Sequence, residues 1–179
     1  MALLRGINVG GKNTLAMEEL AEIFVAAGCS EVRTVIQSGN VLFRASSAVA
    51  ARVAGEVTKE IERRLDLCVP VVLRTAGELE LVGRSNPFLR ARGAAPETLH
   101  VVFLAEDPAA TALAALDPRR SSPDEFRALG REIYLACPNG IARSKLTNAW
   151  FDRVLATTST MRNWRTVLKL AELAREQEL

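Results

Sequence analysis

The chain has 179 residues, a formal net charge of +2, and 49% hydrophobic and 25% charged side chains. That is the balance of an ordinary globular protein, with enough chain for one core or two small ones. It excludes a bilayer-spanning helix, because the apolar runs are too short, and a uniformly basic chain built to coat nucleic acid.

Residues 1–5 lack the basic-then-apolar build of a secretory signal, so a cytoplasmic location is expected. Cys29, Cys68 and Cys137 are odd in number and widely spaced, and His100 is the single histidine. Reduced, mostly buried thiols are expected, with no metal site and no cofactor that any motif names. Ser144-Lys145-Leu146 has the letters of a peroxisomal address, which is read only at an extreme C-terminus.

In chain order, residues 2–9 read as a first strand. A helix is predicted over 15–27, with Leu20, Ile23, Phe24 and Ala27 on one stripe and Gly28 as its stop. Strands follow over 32–37 and 41–44, joined at Ser38-Gly39-Asn40, which is hairpin chemistry. Ser46 or Ser47 caps a second helix whose stripe runs Val49, Val53, Val57, Ile61, Leu65. A β-branched strand over 69–74 completes the order βαββαβ. This is the ferredoxin-like plan, an antiparallel sheet with two helices on one face.

After an irregular stretch containing Asn86-Pro87, Gly93 and Pro96, the pattern partly restarts. Strands are predicted over 99–105, 125–129 and 132–137, with a short Ala-rich helix over 108–116. Two helices close the chain, over 143–155 and 161–176. The second half therefore reads as βαββα with a helix where a last strand would stand. The expected class is α+β: two related subdomains, 1–85 and 98–179, joined by a linker over 86–97.

The stretch RGINVGGKNT, residues 5–14, has the spacing Gly6, four residues, Gly11, Lys12 of a triphosphate-cradling loop. The strand at 101–107, ending in Asp107, adds a second likeness. Three features oppose it. Asn13 stands where a magnesium-binding hydroxyl is needed, Gly6 falls inside the strand pattern, and that chemistry belongs to a parallel sheet. The loop is not a Walker A motif.

The segments ALLRGINVGGKN, IQSGNVLF, SKLTNAWFDR and TMRNWRTVLKL, taken together and in this order, resemble the bacterial family catalogued as domain of unknown function 1697. The resemblance runs from Leu3 to about Leu173 and implies a cytoplasmic α+β protein of two subdomains. It carries no activity. Family members usually begin a few residues earlier, which implies a first strand shortened here. The signature positions correspond to Arg5, Gly6, Asn8, Gly10, Gly11 and Lys12, then Gln37, Ser38, Gly39 and Asn40. They continue with Ser144, Lys145 and Leu146, and with Arg162, Asn163 and Trp164.

In a βαββαβ sheet of order 4-1-3-2, the end of strand one and the hairpin between strands two and three share a rim. Asn8, Gly10, Gly11 and Lys12 are thus expected to face Gln37, Ser38 and Asn40. Glycine backbone N–H groups, a lysine and three polar side chains at a helix mouth suit a phosphate or carboxylate. Plain turn chemistry explains the same residues. Arg5, in a central strand beside Leu3 and Ile7, is either a salt-bridge partner or a ligand clamp.

Residues 143–169 hold Arg143, Lys145, Arg153, Arg162, Arg165 and Lys169 against Asp152 alone. Arg162 and Asn163 at a helix start conflict with the helix dipole unless an anion binds there, and Ser144-Lys145 opens the helix before. Ser144, Lys145, Arg162, Asn163 and Trp164 thus form a second candidate anion site, with a solvated basic face as the plain reading. No nucleophile–base pair is legible, because Ser38 and Ser144 have no nearby histidine. Three functions remain open: a small anionic ligand held by residues 8–12 and 37–40, nucleic-acid binding through 143–169, or a structural, partner-binding role.

Overall fold

The computed structural model describes residues 1–8, 14–90 and 95–178, so Val9, Gly10, Gly11, Lys12 and Asn13 lie outside the described residues. The chain divides into two compact units, Met1–Thr75 and Ala76–Leu179. Each is built on a four-stranded antiparallel sheet.

In the first unit β1 (Ala2–Leu4) is followed by α1 (Met17–Ala26), β2 (Ser30–Val35), β3 (Asn40–Arg44), α2 (Ser47–Leu65) and β4 (Val71–Leu73). The strand order is β2-β3-β1-β4, which is the expected 4-1-3-2 read from the other edge. Leu20, Ile23 and Phe24 of α1 and Val53, Val57 and Ile61 of α2 bury one face of the sheet against Ala2, Leu4 and Val41. Helix α2 forms where the pattern put it. The Ser46 side chain accepts from the Val49 N–H at its start, and Asp66 ends it in the left-handed conformation. Leu3, Leu42 and Val72, on the other face, are buried as well.

Strand β1 is shorter than residues 2–9. Arg5 still donates its backbone N–H to the Pro70 carbonyl (3.0 Å), but Gly6 at φ +75° and Asn8 at φ +54° cannot continue an extended ladder. Arg5 is therefore half-buried at the end of the strand rather than inside it.

The second unit opens with α3 (Ala76–Ser85), a helix the sequence pattern did not reveal, and short 3-10 turns at Pro87–Arg90 and Pro96–Thr98. Then come β5 (Leu99–Leu104), α4 (Ala110–Ala114), β6 (Glu125–Leu129) and β7 (Glu132–Ala136). A 3-10 turn (Ile141–Arg143) precedes α5 (Asn148–Leu155), β8 (Ser159–Asn163) and α6 (Trp164–Glu178). Helix α3 belongs here by its contacts. Tyr134 donates its hydroxyl to the Val82 carbonyl, Arg131 pairs with Glu78, and a Cβ at Gly83 would touch Leu168 of α6.

The sheet order β6-β7-β5-β8 repeats that of the first unit, so the last strand is present after all. Val102 and Ile133 of the sheet share a core with Phe151 and Leu155 of α5. By strand alternation, Val101, Phe103, Tyr134 and Arg162 lie on the opposite face. Among the described residues no helix is long and apolar enough to cross a membrane.

Candidate ligand-binding site

The rim is assembled by backbone contacts. Leu4 donates its N–H to the Gly39 carbonyl at 2.7 Å, tying the end of β1 to the loop between β2 and β3. Gly39 sits at φ +75°, and a Cβ there would lie 2.9 Å from Leu4 Cβ and from Ile7 Cγ1. Only glycine combines that backbone with that closeness. The segment leaving β1 thus rests directly on the hairpin.

Two of the predicted site side chains serve this scaffold. Asn8 accepts from the Leu15 N–H (2.8 Å) and donates Nδ2 to the Leu15 carbonyl (2.9 Å), closing the loop ahead of α1. Asn40 is fully buried and donates Nδ2 to the Val35 carbonyl (3.0 Å) and to Ser38 Oγ (3.1 Å), closing the hairpin. For these two, turn chemistry is what the side chains do.

Gln37 is different. It is exposed, and with Asn8 it lines an open cleft of about 360 Å³ whose far wall is the segment entering α1, including Thr14, Met17 and Glu18. Asn8 and Gln37, far apart in sequence, thus line the same cleft. Lys12, Gly10 and Gly11 lie outside the described residues, and Arg5 stands at the strand end nearby.

Helix α1 begins at Met17, with Ala16 as its N-cap residue and no side-chain cap among the described residues. Glu18 and Glu19 complement the dipole in its first turn, and Glu18 adds an exposed acceptor to the cleft wall. Thr14, Met17 and Glu18 were missed in the sequence because they read as the plain start of a helix. Ile36, beside Gln37, is 55% exposed and held at φ +55°, an uncommon conformation for a β-branched side chain.

The second candidate site does not come together. Arg162 and Asn163 end strand β8, and α6 begins only at Trp164. Arg162 is 8% exposed and donates to Thr160 Oγ1 and to the Met161 carbonyl, both at 2.9 Å. Burial pulls its guanidinium down to about 10, still charged at neutral pH. Asn163 Oδ1 accepts from the Arg165 N–H (2.9 Å), so Asn163 itself supplies the cap that an anion was invoked for. Trp164 is core.

Ser144 and Lys145 do not start α5, which is capped by Thr147 through the Trp150 N–H. They lie in a loop anchored by Leu146 to the α5 side of the sheet, away from the face Arg162 occupies. The basic stretch 143–169 is dispersed: Arg165 pairs with Glu97 (3.2 Å) and Lys169 with Glu172 (2.8 Å).

Two βαββαβ units with antiparallel sheets, the first carrying a cleft lined by both polar and apolar side chains, define an α+β protein with a repeated ferredoxin-like plan. The chain belongs to the family described as Protein of unknown function (DUF1697), which matches residues 1–134. The solved structure of conserved bacterial protein SP0830 from Streptococcus pneumoniae is similar over 97% of this chain and 96% of that one. Its TM-score is 0.70 and its identity 22%, a likeness of fold. No curated protein matches the chain.

Proposed function

We propose that the first unit binds a small ligand bearing a phosphate or carboxylate at the rim formed by residues 8–12 and 37–40. The observation that carries this reading is the cleft shared by Asn8 and Gln37 at the start of α1, where no side-chain cap is found among the described residues. The acidic group meets the α1 N–H donors and Lys12, while Gln37 donates to or accepts from, and Glu18 accepts from, the ligand's hydroxyl or amino groups. Asn40 and Gly39 hold the rim in shape, and Asn8, on the cleft wall, is itself tied to Leu15.

A thermal-shift panel of nucleotides, sugar phosphates and small carboxylic acids tests it. One compound is expected to raise the melting temperature saturably with concentration, as binding to the native state alone requires. Lys12→Ala abolishes that shift and Gln37→Ala reduces it. A panel with no saturable shift, or a shift indifferent to both substitutions, overturns the reading. Nucleic-acid binding through 143–169 as a block is not favoured, since Arg162 is buried and Arg165 and Lys169 are ion-paired.

A further inference from the structure

With Arg162, Arg165 and Lys169 accounted for, four other cations of the second unit, Arg119, Arg120, Arg143 and Lys145, lie on two loops that the fold joins. The loop after α4 and the loop after β7 are bolted together. Arg120 donates Nε to the Lys145 carbonyl (3.1 Å), and the Lys145 N–H donates to Ser121 Oγ (2.9 Å). Ser121 in turn donates to Asp124 (2.7 Å) and lies 3.4 Å from Ser144 Oγ. The Arg120 guanidinium also stacks 4.9 Å above the Trp150 ring, which fixes its direction.

This brings the segment holding Arg119 and Arg120 alongside the segment holding Arg143 and Lys145. Arg119, Arg143 and Lys145 are exposed and Arg120 is half-buried. None of the four has a carboxylate within ion-pair distance among the described residues, unlike Arg131, Arg165 or Lys169. The nearby acids are turned to other work: Asp117 accepts the Arg119 N–H in its own turn, and Asp124 is buried on Ser121.

We propose that this four-cation surface, on loops 117–121 and 143–145, binds the phosphodiester backbone of a nucleic-acid strand. An exposed cation gains little from one isolated phosphate in water. A rigid group of them gains by releasing the counterions condensed on a polymer of phosphates, which is why a strand rather than a small phosphate is the fitting partner. The hydroxyl network holds both loops in place before the strand arrives.

The test is fluorescence anisotropy with a labelled single strand of about 20 nucleotides, titrated at several salt concentrations between about 50 and 200 mM. Wild-type protein binds at low salt with a steep salt dependence. Combining Arg143→Gln with Lys145→Gln weakens binding about tenfold and lowers the log–log salt slope by about 1.4, the single-strand contribution of two charges. Lys169→Gln, on the α6 surface, changes neither. Arg119→Gln with Arg143→Gln serves as a second pair, and circular dichroism confirms that each variant is folded. Absence of binding at the lowest salt, or wild-type affinity and slope in both double variants, overturns the proposal. So does an equal loss in Lys169→Gln.

Discussion

Asn8 holds Leu15 by both of that residue's backbone polar groups, N–H and carbonyl, at 2.8 and 2.9 Å. One amide side chain thereby ties the end of the β1 segment to the residue ahead of α1, and Asn8 does so at φ +54°. Asn8→Ala loses both bonds and must hold alanine in a left-handed conformation, so a loss of about 2–3 kcal/mol is expected. Asn8→Gly loses the bonds without the strain and falls by about half as much. Urea denaturation of the two variants distinguishes them, and equal losses would remove the backbone part of the account.

Gly39→Ala puts a methyl group against Leu4 and Ile7 at a positive φ. The expected loss exceeds about 2 kcal/mol. It is accompanied by distortion of the rim, seen as changed amide chemical shifts at Leu4, Ile7 and Asn8. Gly55, whose added Cβ meets nothing within 4 Å, is the control for a glycine without such neighbours.

Arg162 and Arg165 make opposite predictions although they are close in sequence. Arg162→Ala removes a buried guanidinium from Thr160 and from the Met161 carbonyl, at about 2 kcal/mol or more. Arg165→Ala breaks an exposed pair with Glu97 and stays within about 0.5 kcal/mol. Equal effects on thermal unfolding would refute the placement of Arg162 in strand β8.

His100 is buried, its Nδ1 has no hydrogen-bond partner among the described residues, and burial lowers its pKa despite a backbone hydrogen bond at Thr98 that opposes the shift. A folded-state value below the unfolded 6.5 means that the unfolded chain binds more protons in that window. Stability contributed by neutral His100 is therefore present above the unfolded value and lost as the pH falls through the folded one. The melting temperature should drop between about pH 7 and pH 5, and His100→Gln should flatten that part of the profile. An unchanged slope in the variant would assign the drop to other groups.

What could be read from the sequence alone was whatever local periodicity and turn chemistry encode. Helix α2 is legible because apolar residues recur every four positions from Val49 to Leu65, and Ser46 marks its start. The antiparallel order of the first sheet follows from the element order. Helix α3 escaped because only Leu79 and Val82 are buried on it and two glycines interrupt the pattern. Tertiary packing alone decided that Ser159–Asn163 is a strand. Its buried positions are Ser159, Thr160 and Arg162, polar residues whose burial is satisfied by partners such as Asp152 and the Met161 carbonyl. Hydrophobic patterning cannot announce a strand of that kind. For the same reason, which arginines are buried, which are paired and which face solvent was settled by neighbours distant in sequence, because the cost of burying a charge depends on what surrounds it.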